Sequence, residues 1–248
     1  MNKNDVSDWE MFGLRFFGGG KKRLLEMVSA WLDSKNEKKW IATVNPEFVM
    51  KTAKDREFFN ILQKTDINVV DGIGIAWAAK YRLGRKVEVI SGSDLIIDLC
   101  ALAEKNKYSV YFLGGWGERS EMTAKNLQKK FPKLKVVGYY AGKSVGEDER
   151  IKKALGTKRI DILFVAYGMK TQEEWIARNI KKLNVGLAIG VGRSFDYYSG
   201  VLKRAPNNWR KLHLEWLYSL IQEPKRWRRQ LELPKFVLRV LFPIRGRD

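Results

Sequence analysis

The chain has 248 residues, of which 45% are hydrophobic and 30% are charged, and its formal net charge is +19. This length and composition predict a globular chain large enough for one α/β domain and exclude a disordered chain. One cysteine excludes an intramolecular disulfide, and a single histidine excludes a His/Cys zinc cluster. The positive charge favours polyanionic partners, which include nucleic acid, anionic lipid, and nucleotide or diphosphate substrates.

The N-terminal stretch "MNKNDVSDWEMF" is polar and lacks the apolar centre of a signal peptide. No apolar run approaches the roughly 18–20 residues that a bilayer-spanning helix needs. We therefore expect the chain to stay in the cytosol or to lie on a membrane.

Short runs rich in β-branched residues alternate with segments of helical spacing. "MFGLRFFGGG" is expected to add an early strand, and the main predicted strands cover residues 40–44, 67–70, 108–113, 134–139, 160–167 and 185–190. Strands that alternate with helices indicate βαβ units. The predicted fold class is α/β with a mostly parallel sheet flanked by helices.

Six strand-to-helix turns follow these strands: "TVNPEF", "DGIGIAW", "ISGSDLI", "LGGWGERSE", "YGMKTQEEW" and "GVGRSFDYYSG". In an open α/β sheet, ligands bind beyond the carboxyl ends of the strands, and helix N-termini there favour phosphate groups. Helix capping alone also explains Asn45, and Thr171 with Glu174 has the spacing of a capping box.

Asp71 lies between the predicted strand "INVV" and a predicted helix. One interpretation is an N-cap for the helix that begins near Gly72. The other is a carboxylate on the ligand-bearing edge of the sheet, where it acts as a general base. The residues alone leave both interpretations open.

From Lys203 to Asp248 the chain contains 12 basic and 4 acidic residues, interleaved with aromatic and aliphatic side chains. We predict a core at residues 1–202 and a basic, amphipathic, membrane-associating appendage at residues 203–248. The spacing places Trp209, Leu212, Trp216 and Leu220 on one helical face, and "PKFVLRVLF" is typical of a helix lying in a membrane interface. The alternative is that these apolar residues pack on the core or on another subunit.

Eight stretches resemble the WecG/TagA/CpsF glycosyltransferases, the bacterial family of N-acetylmannosaminyltransferases of wall teichoic acid synthesis and ManNAcA transferases of enterobacterial common antigen. They are "TVNPEFV", "DGIGIAWAAK", "SGSDL", "YSVYFLGG", "DILFVAYGMKTQEEWI", "GVGRSFDYYSG", "RAPNNW" and "LEWLYSLIQEPKRWRR". The resemblance covers about residues 40–230 in order. It implies a Rossmann-like fold and inverting transfer of a sugar from a UDP-sugar to an undecaprenyl-diphosphate-linked saccharide, without a metal or other cofactor.

The resemblance also implies roles for individual residues. Asp71 matches the catalytic aspartate of the family, and Thr43, Asn45 and Gln172 match donor-pocket residues. Gly114 and Asp196 are expected on turns at the same edge of the sheet, and Arg204, Arg226 and Arg229 are expected to contact substrate, the last two at a diphosphate. The chain departs from the family at Val89 and Ser219, where an arginine is usual, and at Arg193, where a small residue is usual. We therefore expect Arg193 to replace a missing arginine.

Two other functional classes remain open at this stage. One is a nucleic-acid-binding protein, which the charge and aromatic content favour, and the other is a non-catalytic membrane adaptor of the same fold. The glycosyltransferase interpretation predicts a UDP-sugar, a polyprenyl-diphosphate-linked acceptor and an anionic membrane surface as partners. It also predicts no nucleic-acid partner and allows a homo-oligomer.

Overall fold

The computed structural model describes residues 7–212, 214–224, 227 and 231–242. Six parallel strands form its central sheet, namely β3 (Lys39–Val44), β4 (Ile67–Val70), β5 (Ser109–Gly114), β6 (Lys135–Tyr140), β7 (Ile160–Ala166) and β8 (Val185–Gly190). Their spatial order is β4-β3-β8-β7-β5-β6. The predicted α/β class and parallel sheet are confirmed, and each of the six predicted strands ends within one residue of its expected position.

Twelve helices are described around the sheet, together with a 3-10 helix at Ile180–Lys182. They are α1 (Lys21–Ser34), α2 (Pro46–Thr52), α3 (Arg56–Leu62), α4 (Ile73–Leu83), α5 (Gly92–Asn106), α6 (Arg119–Lys130), α7 (Asp148–Leu155), α8 (Thr171–Asn179), α9 (Ser194–Tyr198), α10 (Asn207–Lys211), α11 (Glu215–Gln222) and α12 (Glu232–Leu241).

Apolar side chains cover both faces of the sheet. Helices α1, α5 and α6 pack on one face, where Cys100 is fully buried, and α2, α4, α7 and α8 pack on the other. Strands β5 and β8 are buried along their whole length. A sheet covered on both faces needs strands that are apolar throughout, which is why these segments lack the alternation of a half-exposed strand.

The early segment forms a separate hairpin instead of one added strand. Strands β1 (Trp9–Met11) and β2 (Leu14–Phe16) pair antiparallel across a two-residue turn. Phe12 and Gly13 both have positive φ, as a type I′ turn requires. The N–H of Phe17 donates to the Asn68 carbonyl at 2.9 Å. The hairpin therefore lies beside β4, which is one edge strand of the sheet.

The C-terminal segment differs from the expected interfacial helices. The stretch predicted as one face is divided into α10 and α11, so Trp209 and Trp216 are on separate helices. In α12, Phe236 and Val240 are buried against the hairpin and α2, whereas Leu238 and, directly after the helix, Phe242 are exposed. Packing on the core, the alternative left open above, therefore holds for one side of α12.

Within the described ranges, no helix has both the length and the apolar content that a transmembrane span requires.

Candidate active site

A cavity of about 400 Å³ opens at the carboxyl ends of β3, β4 and β8. Residues from the beginnings of five helices line it: Pro46 of α2, Ile73 of α4, Gly92 of α5, Gln172 of α8 and Ser194 of α9. Because helix N-termini carry free N–H groups and a positive dipole end, this cavity suits a negatively charged ligand. It lies where β3 and β8 are neighbours in space but distant in sequence, which is where ligands bind in open α/β sheets.

Asp71 lies in the wall of this cavity, directly after β4. Its own N–H donates to the Val44 carbonyl at 2.9 Å, which ties the residue to the end of β3. The N-cap of α4 is Gly72, with φ of 89°, and α4 has no side-chain cap. Asp71 is therefore not a helix cap, and its carboxylate accepts instead from the N–H of Gly92.

The surroundings of Asp71 favour its protonated form. Burial raises the pKa of Asp71 to about 7, and the nearby carboxylates of Glu215 and Asp94 add to this effect. Arg204 and the Gly92 N–H act in the opposite direction but do not compensate. A carboxyl group with a pKa near neutrality is suited to accept a proton during a reaction at physiological pH.

Arg204 holds two of these acids together. Its Nη1 donates to Asp94 at 2.7 Å and its Nε donates to Glu215 at 3.4 Å. Burial pushes the pKa of Asp94 up, but the hydrogen bond and charge of Arg204 outweigh it, so the pKa lies below its ordinary value. Arg204 is thus bound to protein carboxylates beside Asp71, and it connects α11 to the first turn of α5.

Thr43 and Asn45 line the cavity from the end of β3, as expected. The Thr43 hydroxyl donates to the Gly190 carbonyl at 3.3 Å, which links β3 to β8. The Asn45 side-chain oxygen accepts from the N–H groups of Glu47 and Phe48 and caps α2. The capping interpretation of Asn45 is confirmed, and the same residue borders the cavity.

Gln172 also lines the cavity, and it is almost fully buried. Its Oε1 accepts from the N–H of Gly192 at 2.9 Å, and its Nε2 donates to Glu173 at 2.8 Å. The predicted capping box of Thr171 and Glu174 is wrong by one residue, because the box joins the Lys170 N–H to Glu173 at 2.9 Å. Burial raises the pKa of Glu173 to about 7, against the hydrogen bonds that it accepts.

Arg193 extends along the same cavity and forms ion pairs with two acids. Its Nε lies 3.4 Å from Asp196, and its Nη2 contacts Glu223 at the end of α11. Val89 and Ser219, where the resemblance led us to expect arginine, line the cavity as well. Arg193 therefore places a cation in the same cavity as these two uncharged residues.

Other predicted site residues lie away from the cavity wall. Gly114 ends β5 with φ of 95°, and a Cβ there would approach the Ala166 backbone to 2.9 Å, which gives this glycine a structural reason. Asp196 pairs with Arg119 and Arg193 behind the cavity. Arg226 and Arg229 lie outside the described residues.

Several cavity residues were not predicted from the sequence. Glu215, Trp216 and Leu220 come from α11, and Glu232 and Leu233 come from the start of α12. Nothing in the local sequence places these residues near β4, because they reach the cavity only through the path of the C-terminal segment. Asp94 was visible in the third turn, but its link to Arg204 depends on two elements that are distant in sequence.

Comparison with known proteins decides the family. A family model described as the glycosyl transferase WecG/TagA/CpsF family matches residues 9–247. The chain belongs to this family. It is therefore a glycosyltransferase, as the sequence resemblance implied.

Three relatives of this WecG/TagA/CpsF chain carry the name N-acetylglucosaminyldiphosphoundecaprenol N-acetyl-beta-D-mannosaminyltransferase. A relative from Bacillus subtilis (strain 168) is 34% identical over 81% of this chain and 78% of its own length. One from Bacillus spizizenii is 33% identical over 87% of this chain and 83% of its own. One from Staphylococcus aureus (strain MW2) is 26% identical over 96% of this chain and 94% of its own length.

The described residues contain no group of three or more His, Cys, Asp or Glu side chains arranged to hold a metal ion. That the reaction needs no metal stays a prediction.

Proposed function

We propose that this chain is an inverting glycosyltransferase that transfers N-acetylmannosamine or a related hexose from a UDP-sugar to a polyprenyl-diphosphate-linked saccharide. The name of the relatives supports an N-acetylmannosamine group and an N-acetylglucosaminyl-diphospho-undecaprenol acceptor. The observation that carries the proposal is the position of Asp71, which is not a helix cap but lies in the wall of a cavity ringed by helix N-termini.

Asp71 is the general base of this proposed reaction. The acceptor hydroxyl attacks the anomeric carbon of the donor sugar while its proton moves to the Asp71 carboxylate. The bond between that carbon and the UDP oxygen breaks, and the electron pair leaves with UDP. A single displacement from the opposite side inverts the anomeric configuration. The pKa of about 7 leaves a substantial ionised fraction at neutral pH and gives good driving force for proton uptake.

The leaving UDP gathers negative charge and requires nearby donors or cations. The beginnings of α2, α4, α5, α8 and α9 supply N–H groups around the cavity. Arg193 supplies a cation in place of the usual arginines, and it forms an ion pair with Glu223. We propose that the donor diphosphate takes the place of the Glu223 carboxylate, so that Arg193→Ala weakens UDP binding and Glu223→Gln strengthens it. Unchanged UDP affinity in Arg193→Ala would show that Arg193 does not replace the missing arginines.

The C-terminal segment is proposed to bring the enzyme to a lipid-linked acceptor. It already contributes Glu215, Trp216 and Leu233 to the cavity wall, and α12 exposes Leu238 and Phe242 on its outer side. Basic residues near an anionic bilayer surface each add about 1 kcal/mol of attraction. Exposed apolar side chains with surrounding positive charge therefore suit reversible binding on the cytoplasmic face of the membrane.

The test is a panel of UDP-sugars with a short-chain polyprenyl-diphosphate N-acetylglucosamine acceptor. UDP release that depends on both substrates, and a product of inverted configuration by NMR, support the proposal. No transfer with any UDP-sugar would refute it. Binding to nucleic acid with steep salt dependence, in place of transfer, would favour the basic nucleic-acid-binding alternative.

A further inference from the structure

Glu173 is a buried acid that the proposed chemistry does not use. Its side chain is fully buried behind the cavity, at the beginning of α8. Its Oε1 accepts a hydrogen bond from Gln172 at 2.8 Å, and its Oε2 accepts one from the Lys170 N–H at 2.9 Å. One bond belongs to the helix cap, whereas the other is directed towards a residue of the cavity wall.

The bonds around Gln172 form a chain with a fixed direction. The Gly192 N–H can only donate, so it requires the oxygen of the Gln172 amide. The nitrogen of that amide must then find an acceptor, which Glu173 supplies. An amide side chain without such partners could turn over and exchange its oxygen and nitrogen. Glu173 and the Gly192 N–H thus together fix which end of the Gln172 amide faces the Gly192 turn.

Packing holds this arrangement against the end of β8. A Cβ on Gly190 would lie 2.4 Å from Gln172 Nε2 and 2.6 Å from Glu173 Oε1. Both side chains therefore pass directly over a position where only glycine fits. Gly192 follows two residues later and lies beside Arg193 in the cavity wall, so the orientation of Gln172 also sets the path of this turn.

We infer that Glu173 is a positioning residue for the donor site, acting through the Gln172 amide and the Gly192 turn. The inference rests on the proposed function only where it names the UDP-sugar as the ligand of that site. Glu173 contacts the cavity-lining residue Gln172 but does not line the cavity itself, so its effect should appear in donor binding more than in the chemical step.

Glu173→Gln isolates this role from helix capping. Glutamine is also a capping-box residue and can still accept from the Lys170 N–H. Its amide nitrogen would then face the Gln172 nitrogen, and two donors would oppose each other in a buried site. One mismatched buried hydrogen bond costs on the order of tenfold in binding. We expect the KM for UDP-N-acetylmannosamine to rise about tenfold, with kcat within about threefold of the original value.

Two comparisons complete the design. Glu174→Gln makes the same carboxylate-to-amide change at the next residue, which pairs with the Lys170 side chain, and it should leave KM and kcat within about twofold. The double variant Gln172→Glu with Glu173→Gln places a carboxylate oxygen opposite the Gly192 N–H. The other oxygen of that carboxylate then accepts from the amide nitrogen at position 173, so each donor again faces an acceptor. This double variant should regain the thermal stability that Glu173→Gln loses.

NMR gives a signal that does not depend on turnover. In Glu173→Gln, the Gly192 backbone amide and the Gln172 side-chain amide should shift, while the Lys170 amide keeps its position. Failure of the unaltered enzyme to transfer sugar would refute the proposed function, and the amide shifts would still test the positioning role. An unchanged KM with unshifted Gly192 and Gln172 signals would overturn the inference, as would an exchanged pair less stable than Glu173→Gln.

Discussion

Asp71→Asn should decrease turnover and at the same time stabilise the folded protein. Asparagine keeps the size of the side chain and its acceptor oxygen for the Gly92 N–H, but it cannot take a proton from a hydroxyl group. General bases contribute about 10²–10⁴ to rate, so turnover should fall by that factor while UDP-sugar binding is retained.

The stability gain follows from the raised pKa of Asp71. A change from 3.8 to about 7 corresponds to about 4 kcal/mol of unfavourable ionisation in the folded state at high pH. Asp71 is half-buried, so solvent screening should reduce this to about 1–3 kcal/mol. Between pH 4 and 7 the folded state binds more protons than the unfolded state. The advantage of the variant should therefore grow as pH rises through this window and remain constant above it.

The assay combines UDP release with urea unfolding at pH 5 and pH 8. Asp66→Asn is the matched control, because it makes the same change directly before β4, at the opposite end of the strand from Asp71. Asp66 pairs there with Lys39 at 3.4 Å. It should leave turnover unchanged. Near-original turnover in Asp71→Asn would refute the general-base assignment. A stability difference from the original chain that is equal at pH 5 and pH 8 would refute the argument from the pKa.

Further predictions concern binding, packing and pH. Gly190→Ala should lower the melting temperature and weaken UDP-sugar binding, because the new methyl group would collide with Gln172 and Glu173; unchanged values would contradict that geometry. Phe236→Ala should destabilise the fold by about 3–5 kcal/mol in urea unfolding, since the ring is buried against the core. Leu238→Asp, on the exposed side of the same helix, should reduce co-sedimentation with anionic vesicles without changing the melting temperature, and undiminished vesicle binding would count against membrane docking there. Initial rates at low donor concentration should fall below about pH 7 as Asp71 becomes protonated, and a flat profile from pH 5 to 8 would exclude this carboxylate as the base.

The packing of α12 also affects how membrane docking can be tested. Removal of the chain after Leu202 would uncover the buried contacts of Phe236 and Val240 with α2 and the hairpin. A truncated protein would then lose activity for reasons of stability alone. Single substitutions on the exposed side of α12 separate docking from folding. The proposed division of the chain at residue 202 stays a prediction.

Much of the fold was determined by local sequence patterns. Each central strand is a short apolar run bounded by turn residues, and each following helix has its own spacing, so the parallel α/β class and the ligand-bearing edge could be predicted. Asp71 and Asn45 could be placed there because each directly follows a strand. Thr43 lies at the end of β3, and Gln172 lies in the first turn of α8, so their positions near a strand end also placed them at this edge.

Tertiary structure decided which residues share the cavity and how they are charged. Glu215 and Arg204 are more than 130 residues from Asp71, and only the return of α11 over the carboxyl edge of the sheet brings them beside it. Asp71 does not cap α4 because Gly72, with its positive φ angle, occupies the N-cap position. The orientation of Gln172, which follows β7, depends on Gly192, which follows the neighbouring strand β8. The apolar side of α12 has a sequence pattern that fits either a lipid surface or the protein core, because apolar side chains gain free energy from leaving water in both environments. Its assignment required the position of the hairpin and α2, which a sequence pattern of period 3.6 does not contain.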